Sequence, residues 1–255
     1  SINGTPATSF TDTLNALELV TIEGEIRNQD NNTLLSDFNG ELFPTFFDKP
    51  SSYKTLGQDA ASAPIEFQEQ NRVIYKGNVT VQNGKFSFQF IVPKDIAYNI
   101  GQGKLSYYAK DGLDHAGGAD FSYYIGGTAD SLVNDEQFDQ LNLYIDDEQW
   151  VFGGLTSSTP KLLALLSDSN GINTIGSGIG REMEAIVDEG TEFEQIIILN
   201  DFYKPDLNSY QSGRIEYPFE KLTAGRHTLK LKVWDVYNNS AEAYTEFVVT
   251  ESAEI

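Results

Sequence analysis

The residues best suited to chemistry are three oxygen-bearing side chains, Asp168, Asn170 and Asn173, which flank a glycine turn at Gly171. Alternating carboxylate and amide oxygens ahead of a glycine are what the first half of a calcium loop supplies. The bidentate acid expected six positions after that glycine is missing, because residue 177 is a serine. The EF-hand pattern therefore fails and a side-chain-capped turn is favoured, with Asp168, Asn170 and Asn173 kept as weak metal candidates.

The two histidines give no convincing catalytic arrangement. His227 lies on an alternating strand pattern and is expected to be exposed, while His115 falls in a polar segment interpreted as a turn. No Gly-x-Ser-x-Gly elbow is present to hold a serine nucleophile. The glycine-rich residues 176–180 lack the spacing and the following helix pattern of a phosphate loop, so a loop without phosphate chemistry is expected there.

Other polar and aromatic motifs have ordinary structural interpretations. The trio Asp146-Asp147-Glu148 is expected in a solvated turn, since 38 acidic residues make some close pair unavoidable. Trp234 follows Leu229, Leu231 and Val233 out of phase, which predicts that those three point inward and Trp234 lies partly exposed. For Trp150 and Trp234, packing is favoured over a carbohydrate-binding platform.

Composition excludes several function classes. The chain has no cysteine, so it can form neither a disulfide nor a thiolate metal site, and it supplies no cysteine nucleophile. Its formal net charge of −21 argues against nucleic acid and anionic lipid, because both require a cationic surface. No apolar run approaches the roughly 20 residues that span a bilayer, which predicts no direct membrane insertion.

A strand pattern that occurs twice predicts the fold. Each copy has an alternating strand, a short connection, a second strand, a polar turn and a final strand, and the copies begin near Asn83-Gly84 and Ser212-Gly213. Such a unit builds one end of an immunoglobulin-like sandwich. We therefore predict an all-β chain with two tandem immunoglobulin-like β-sandwich domains, residues 16–128 and 129–255, after a linker at 1–15.

Particular segments refine this prediction. Asn83-Gly84 predicts a type I′ hairpin, since both residues tolerate positive φ. Pro44 predicts an edge or bulged strand within residues 40–47. The apolar run at 161–166 is expected to be a buried strand rather than a helix, because it is short and bounded by turn residues. Weakly patterned loops at 48–64 and 174–182 are the predicted contact surfaces.

Several segments together resemble one protein family. The stretches that carry the resemblance are FSFQFIVPKDIAY at 86–98, GKLSYYA at 103–109, DSNGIN at 168–173 with GIG at 178–180, and LKVWDVYNNS at 231–240. In order and spacing they are similar to the β-sandwich region that follows the peptidase domain in the gingipain-like (C25 family) sortases of the Bacteroidetes type IX secretion system. The similarity runs from about Leu17 to Val249.

The resemblance implies a cell-surface, outer-membrane-associated parent protein. In this family a caspase-like peptidase with a cysteine nucleophile removes the sorting signal from secreted cargo and helps attach the cargo to lipopolysaccharide. The implied partners are the parent's own peptidase domain and C-terminal docking domain, outer-membrane secretion partners and secreted cargo. No catalytic residue of the family falls on this sequence, so the resemblance implies a non-enzymatic accessory role without a cofactor.

Two alternatives from other classes stay open at this stage. A glycan- or calcium-binding adhesin module would also be an acidic, cysteine-free tandem sandwich. A stand-alone hydrolase using carboxylates or a serine would need a geometry that sequence spacing does not show.

Overall fold

The computed structural model describes residues 1–59, 61–112, 114–129, 136–175 and 181–250. The glycine-rich segment at 176–180, predicted to be a loop without phosphate chemistry, lies outside these residues. Most of the contact loop predicted at 174–182 therefore lies outside them as well. By its internal contacts the chain divides into two compact units: unit 1 is Ser1–Val92 with Ile96–Asp130, and unit 2 is Pro93–Asp95 with Ser131–Ile255. Nearly every regular element is a strand, so the prediction of an all-β chain built from sandwich domains is confirmed.

Unit 1 contains a short 3₁₀ turn at Ala7–Ser9 and twelve strands among its described residues. The strands are β1 (Thr13–Ala16), β2 (Leu19–Glu25), β3 (Gly40–Phe47), β4 (Ser51–Lys54), β5 (Glu66–Glu69), β6 (Val73–Lys76), β7 (Val79–Val81), β8 (Lys85–Ile91), β9 (Gly101–Gln102), β10 (Lys104–Asp111), β11 (Asp114–Asp120) and β12 (Tyr124–Thr128). The largest sheet has the order β11-β10-β3-β6, with β7 also on β3, and the smaller sheets are β1-β12-β9, β2-β8 and β4-β5.

Unit 2 contains nine strands among its described residues and a 3₁₀ turn at Asn200–Phe202. The strands are β13 (Gln140–Ile145), β14 (Gly154–Thr156), β15 (Lys161–Ser167), β16 (Glu184–Val187), β17 (Gln195–Ile198), β18 (Tyr203–Pro205), β19 (Ser212–Pro218), β20 (Gly225–Trp234) and β21 (Ser240–Val249). Two sheets, β13-β15-β19-β18 and β14-β21-β20-β16-β17, enclose one aliphatic core. The run at 161–166 is thus a strand, as predicted.

Two local predictions from turn chemistry are confirmed. Asn83 and Gly84 both have positive φ, 53° and 71°, which is what a type I′ turn between β7 and β8 requires. On β20 the side chains of Leu229, Leu231 and Val233 are fully buried, so Trp234 lies on the opposite face, as its parity predicts.

The prediction that residues 1–15 form a linker is wrong. Ile2 is buried and forms an isolated bridge with Ile22 on β2, and Leu14 is buried on β1, which pairs with β12. Polar composition hid these two anchors, because single apolar residues in a Ser/Thr-rich stretch show no periodicity. The first fifteen residues therefore belong to the packed part of unit 1.

Of the two alternatives predicted from Pro44, the edge strand is wrong, whereas β3 does show a register shift against β6, between Phe46 and Phe47. β3 lies inside the largest sheet, between β10 on one side and β6 and β7 on the other. The neighbouring strand is interrupted at Gly77, opposite Pro44, and Gly77 N–H donates to the Pro44 carbonyl at 3.0 Å. A proline is tolerated in this central position because the ladder is already broken where its missing N–H would have to donate.

The core of unit 1 contains a buried hydroxyl that gives a clean stability test. Tyr123 packs its ring 4.7 Å from Phe46 and is fully buried, and its hydroxyl has no hydrogen-bond partner among the described residues. Burial raises the pKa of this phenol well above its ordinary value. Gly103 is required beside it, since a Cβ there would lie 2.2 Å from the Tyr123 ring.

Replacing Tyr123 by phenylalanine is therefore expected to raise the free energy of unfolding by about 1 kcal/mol, because it removes a desolvated polar group and keeps the ring. Chemical denaturation followed by far-UV circular dichroism measures the change. Tyr53→Phe, which alters an exposed ring, is the control and should leave stability unchanged. A loss of stability in Tyr123→Phe would show that the hydroxyl is stabilised in the fold.

Candidate functional sites

The predicted metal candidates use their side chains to cap a turn. Asp168 is buried and accepts hydrogen bonds from the backbone N–H of Asn170 at 2.8 Å and of Asp139 at 3.0 Å. Asn173 is also buried, and its side-chain oxygen accepts from Ile175 N–H at 3.0 Å. These contacts are those of the side-chain-capped turn favoured from the sequence. A calcium site on these residues remains an untested prediction.

No group of three or more histidine, aspartate or glutamate side chains is arranged to hold a metal ion within the part of the chain that the structure describes. The Asp168 carboxylate has two other carboxylates near it. Burial is the main cause that raises its pKa to about 6, and the nearby Asp235 and Asp139 carboxylates add to it. The two backbone hydrogen bonds act in the opposite direction.

This raised pKa predicts a specific pH dependence. The folded chain binds the Asp168 proton more tightly than the unfolded chain, whose carboxyl has the ordinary value of 3.8. The resulting stabilisation is present at low pH and is lost as the pH rises from about 4 through about 6. Asparagine does not titrate, so Asp168→Asn does not lose this stabilisation. The difference in free energy of unfolding between Asp168→Asn and the parent should therefore shift in favour of the variant by about 1–3 kcal/mol between about pH 4 and about pH 6.

Denaturation curves of the parent and Asp168→Asn at several pH values test this expectation. Asp147→Asn, which changes an exposed carboxyl in the turn after β13, serves as the matched control and should run parallel to the parent. Parallel curves for Asp168→Asn as well would contradict a raised pKa at this position.

His227 is buried, which corrects the prediction that it is exposed. Its side chain is only 8% exposed, and its Nδ1 lies 2.7 Å from the Asp188 carboxylate and its Nε2 2.8 Å from the Thr223 carbonyl oxygen. Both ring nitrogens thus lie within hydrogen-bond distance of an acceptor oxygen. This burial could have been predicted from the sequence, because residues two apart on a strand lie on the same face and Leu229 is predicted to point inward. Because both of its nitrogens are engaged within the fold, this imidazole serves as a hydrogen-bonding and packing group of unit 2.

His115 lies on a strand rather than in a turn. It belongs to β11, opposite Lys110, and its Nδ1 lies 2.6 Å from the Tyr108 hydroxyl. The prediction failed because the segment around it is rich in glycine and aspartate, residues that are depleted in strands. No described carboxylate or serine contacts this imidazole, so it is not part of a triad.

The remaining motifs are placed as packing or turn elements. Trp150 packs against the core of unit 2 and donates its indole N–H to Thr245 Oγ1 at 3.0 Å, as expected for a packing residue. In the acidic trio, Asp146 has positive φ and accepts hydrogen bonds from Thr156 Oγ1 at 2.6 Å and Lys161 N–H at 2.9 Å. Asp146 therefore fixes a turn rather than remaining freely solvated.

The contact loop predicted at 48–64 contains an unexpected element. β4 and β5 form a two-stranded ribbon, here called the ribbon, which pairs with no other strand among the described residues. Tyr53 and Phe67 are directly opposite each other with stacked rings 5.7 Å apart, and they are 45% and 41% exposed. Leu56 and Ile65 at the far end are 78% and 65% exposed. An apolar face left open to solvent on this scale is typical of an interaction surface.

The base of the ribbon is held by buried charges. Just before β4, the Lys49 ammonium lies 2.8 Å from the Asp48 carboxylate and donates to the Ala97 carbonyl at 2.6 Å. Just after β5, the Gln70 side chain donates to the Asp48 carbonyl at 3.0 Å. These contacts fix where the ribbon leaves the sheet, although the ribbon itself is exposed.

Comparison with known proteins identifies a relative of known structure. No protein-family model and no curated protein matches the chain. The crystal structure of dimeric latent PorU from Porphyromonas gingivalis matches over 100% of this chain, with 27% sequence identity and a TM-score of 0.55. The chain resembles a region of PorU. The resemblance inferred from the four sequence segments is thereby confirmed.

The PorU-like region spans only 24% of the PorU chain. A second match, the fibronectin(III)-like modules of CbhA from Clostridium thermocellum, covers 98% of this chain and 93% of that one, at 11% identity and a TM-score of 0.24. That likeness is too weak to carry an argument. No described helix of the PorU-like region is long and apolar enough to cross a membrane.

Proposed function

We propose that this PorU-like region is a non-catalytic scaffold within a cell-surface cysteine-peptidase sortase that processes and attaches type IX secretion cargo. The observation that carries the proposal is the match to PorU over the whole chain, at 27% identity. The absence of cysteine in all 255 residues means that a thiol nucleophile has to come from elsewhere in the parent protein. The engagement of both His227 nitrogens is consistent with this assignment.

The ribbon is the element best suited to hold the rest of the parent protein. Its exposed Tyr53 and Phe67 rings stack on each other, and exposed aromatic side chains often contribute most of the binding energy at protein interfaces. The base of the ribbon is fixed by the buried Asp48–Lys49 contact. A preorganised element loses little conformational entropy when it binds. In this proposal the ribbon contacts the peptidase domain, while the C-terminal docking domain and outer-membrane secretion partners bind elsewhere.

The test is made in the parent gene. Tyr53→Ala/Phe67→Ala is expected to lower removal of the cargo sorting signal and surface attachment of cargo, with the parent protein still present at the outer membrane. Ser52→Ala/Gln68→Ala, on the opposite face of the same ribbon, is the matched control. Normal cargo processing in the Tyr53→Ala/Phe67→Ala variant would show that the ribbon is not needed to contact the peptidase domain. Normal processing after deletion of the whole region would overturn the scaffold proposal.

Two experiments on the 255-residue chain distinguish the scaffold proposal from the adhesin and hydrolase alternatives. A calcium-dependent adhesin module would show a higher melting temperature in millimolar calcium, because a ligand selective for the folded state stabilises it. A hydrolase would cleave peptide or glycoside substrates. We expect neither effect, and either one would replace the scaffold assignment.

A further inference from the structure

Unit 1 contains an open cleft of about 270 Å³ that none of the preceding contacts uses. One wall is aromatic, with the rings of Phe86 and Tyr107 5.7 Å apart. The opposite border is the small-residue stretch of β11, Ala116, Gly117 and Gly118. Ala116 and Gly118, the two of these residues on the cleft side of β11, carry almost no side-chain volume and so leave the cleft open.

The fold itself does not require glycine at Gly117 and Gly118. Neither has positive φ, and a Cβ would come no closer than 3.8 Å to its neighbours at Gly117 and 3.9 Å at Gly118. Gly24 in the same unit shows the contrast, since a Cβ there would lie 2.2 Å from the Phe86 ring. Glycine inside a strand weakens it and often marks the close approach of a ligand or another backbone. The space beside β11 is therefore open to an external group.

β11 is also an edge that is open to pairing. Among the described residues it pairs only with β10, in an unbroken register from Leu105↔Asp120 to Asp111↔Asp114, and most of its residues are exposed. It contains neither lysine, proline nor a bulge, the features that usually protect an edge from strand addition. Its outward N–H and C=O groups form a template for another extended chain.

The charges around the cleft define the chemistry of an occupant. Glu23, Glu25 and Asp120 line it together with two cations, Arg27 and the Ser1 ammonium, so its border is net acidic. Arg27 and Lys85 both form ion pairs with Glu25, and the Ser1 ammonium donates to the Glu23 carbonyl oxygen. The chain as a whole carries a net charge of −21. An acidic border around an aromatic wall favours an apolar anchor next to basic groups, and disfavours an acidic partner or a second copy of this chain.

We propose that the β11 edge binds an extended peptide by strand addition, with an apolar side chain in the cleft and lysine or arginine beside its acidic border. Side chains of an added strand alternate between faces, so every second residue would lie on the cleft side, as Ala116 and Gly118 do. Main-chain hydrogen bonds to β11 provide affinity, and the cleft selects the anchor. This peptide site goes beyond the scaffold role and does not depend on it.

The test uses the full 255-residue chain and a panel of synthetic strand-forming peptides of about eight residues. Each has a central Phe, Leu, Ile or Val between Thr residues and Lys at both ends, and is compared with versions carrying a central Ala or terminal Glu. We expect binding by the Lys-flanked apolar peptides, at least roughly tenfold weaker binding by the other two sets, and an affinity that falls with added salt. Hydrogen exchange should slow at β11 amides on binding.

Two protein variants keep the proposal falsifiable. Gly118→Val puts a side chain into the cleft and should lower the affinity at least about tenfold without loss of stability. Ala119→Val, on the other face of the same strand opposite Ser106, adds the same side chain outside the cleft and should bind normally. No binding by any panel member at about 1 mM, or equal binding by the parent and Gly118→Val, overturns the proposal.

Discussion

Replacing Asp48 by alanine is expected to destabilise unit 1 by about 3–5 kcal/mol. The Lys49 side chain beside it is only 6% exposed, and its ammonium lies 2.8 Å from the Asp48 carboxylate. After the replacement this buried cation keeps the Ala97 carbonyl but has lost its nearest counter-charge. The Arg72 guanidinium, 3.9 Å from the same carboxylate, adds a second positive charge to the site. An unpaired buried cation costs far more than a lost surface contact.

The measurement is chemical denaturation followed by far-UV circular dichroism, together with hydrogen exchange at β3 amides next to Asp48. Combining Lys49→Met with Asp48→Ala should recover a large part of the loss, because the buried cation is then absent. Glu66→Ala breaks the exposed Lys54–Glu66 pair in the ribbon and should leave stability unchanged. If Asp48→Ala has no larger effect than Glu66→Ala, the ion pair does not stabilise the base of the ribbon.

Replacing Asp188 by alanine is expected to cost about 2–4 kcal/mol in unit 2, because two buried groups lose their acceptor. The Asp188 carboxylate lies 2.7 Å from His227 Nδ1 and also accepts from Thr228 N–H at 2.9 Å. The imidazole is stacked on the Phe247 ring, 5.4 Å between centroids, so it has little access to water. Without Asp188, a protonated ring nitrogen and a backbone N–H both lose their acceptor.

Tryptophan fluorescence follows this change directly, because Trp150 and Trp234 both lie in unit 2 and are the only tryptophans in the chain. His227→Phe in the Asp188→Ala background should recover stability, since it removes the polar ring and retains an aromatic neighbour for Phe247. Glu189→Ala, which breaks the more exposed contact with Lys230 on the neighbouring residue, is the control and should have only a small effect. Equal losses in Asp188→Ala and Glu189→Ala would show that the His227 contact is not stabilising.

The strands were largely predictable from local pattern, and the sites were not. Period-two alternation identified β8, β19 and β20, and Asn83-Gly84 identified its turn, because both signals depend on neighbouring residues. The ribbon was missed because both its strands are exposed and therefore show no alternation of burial. β11 was missed because the glycines that open its cleft also remove the usual strand signal.

The sequence by itself determined an all-β chain without a thiol, with an acidic surface and a likeness to the PorU-type sortases, because these follow from composition, short-range periodicity and the order of segments. Tertiary structure alone decided which polar residues are buried. Asp48 and Lys49 look like ordinary neighbours at the end of a strand until Ala97, about fifty residues away, supplies a carbonyl. The open edge at β11 likewise depends on which strand has no partner. Strand order and the burial of charged groups depend on contacts between residues distant in sequence, so they cannot be predicted from local pattern.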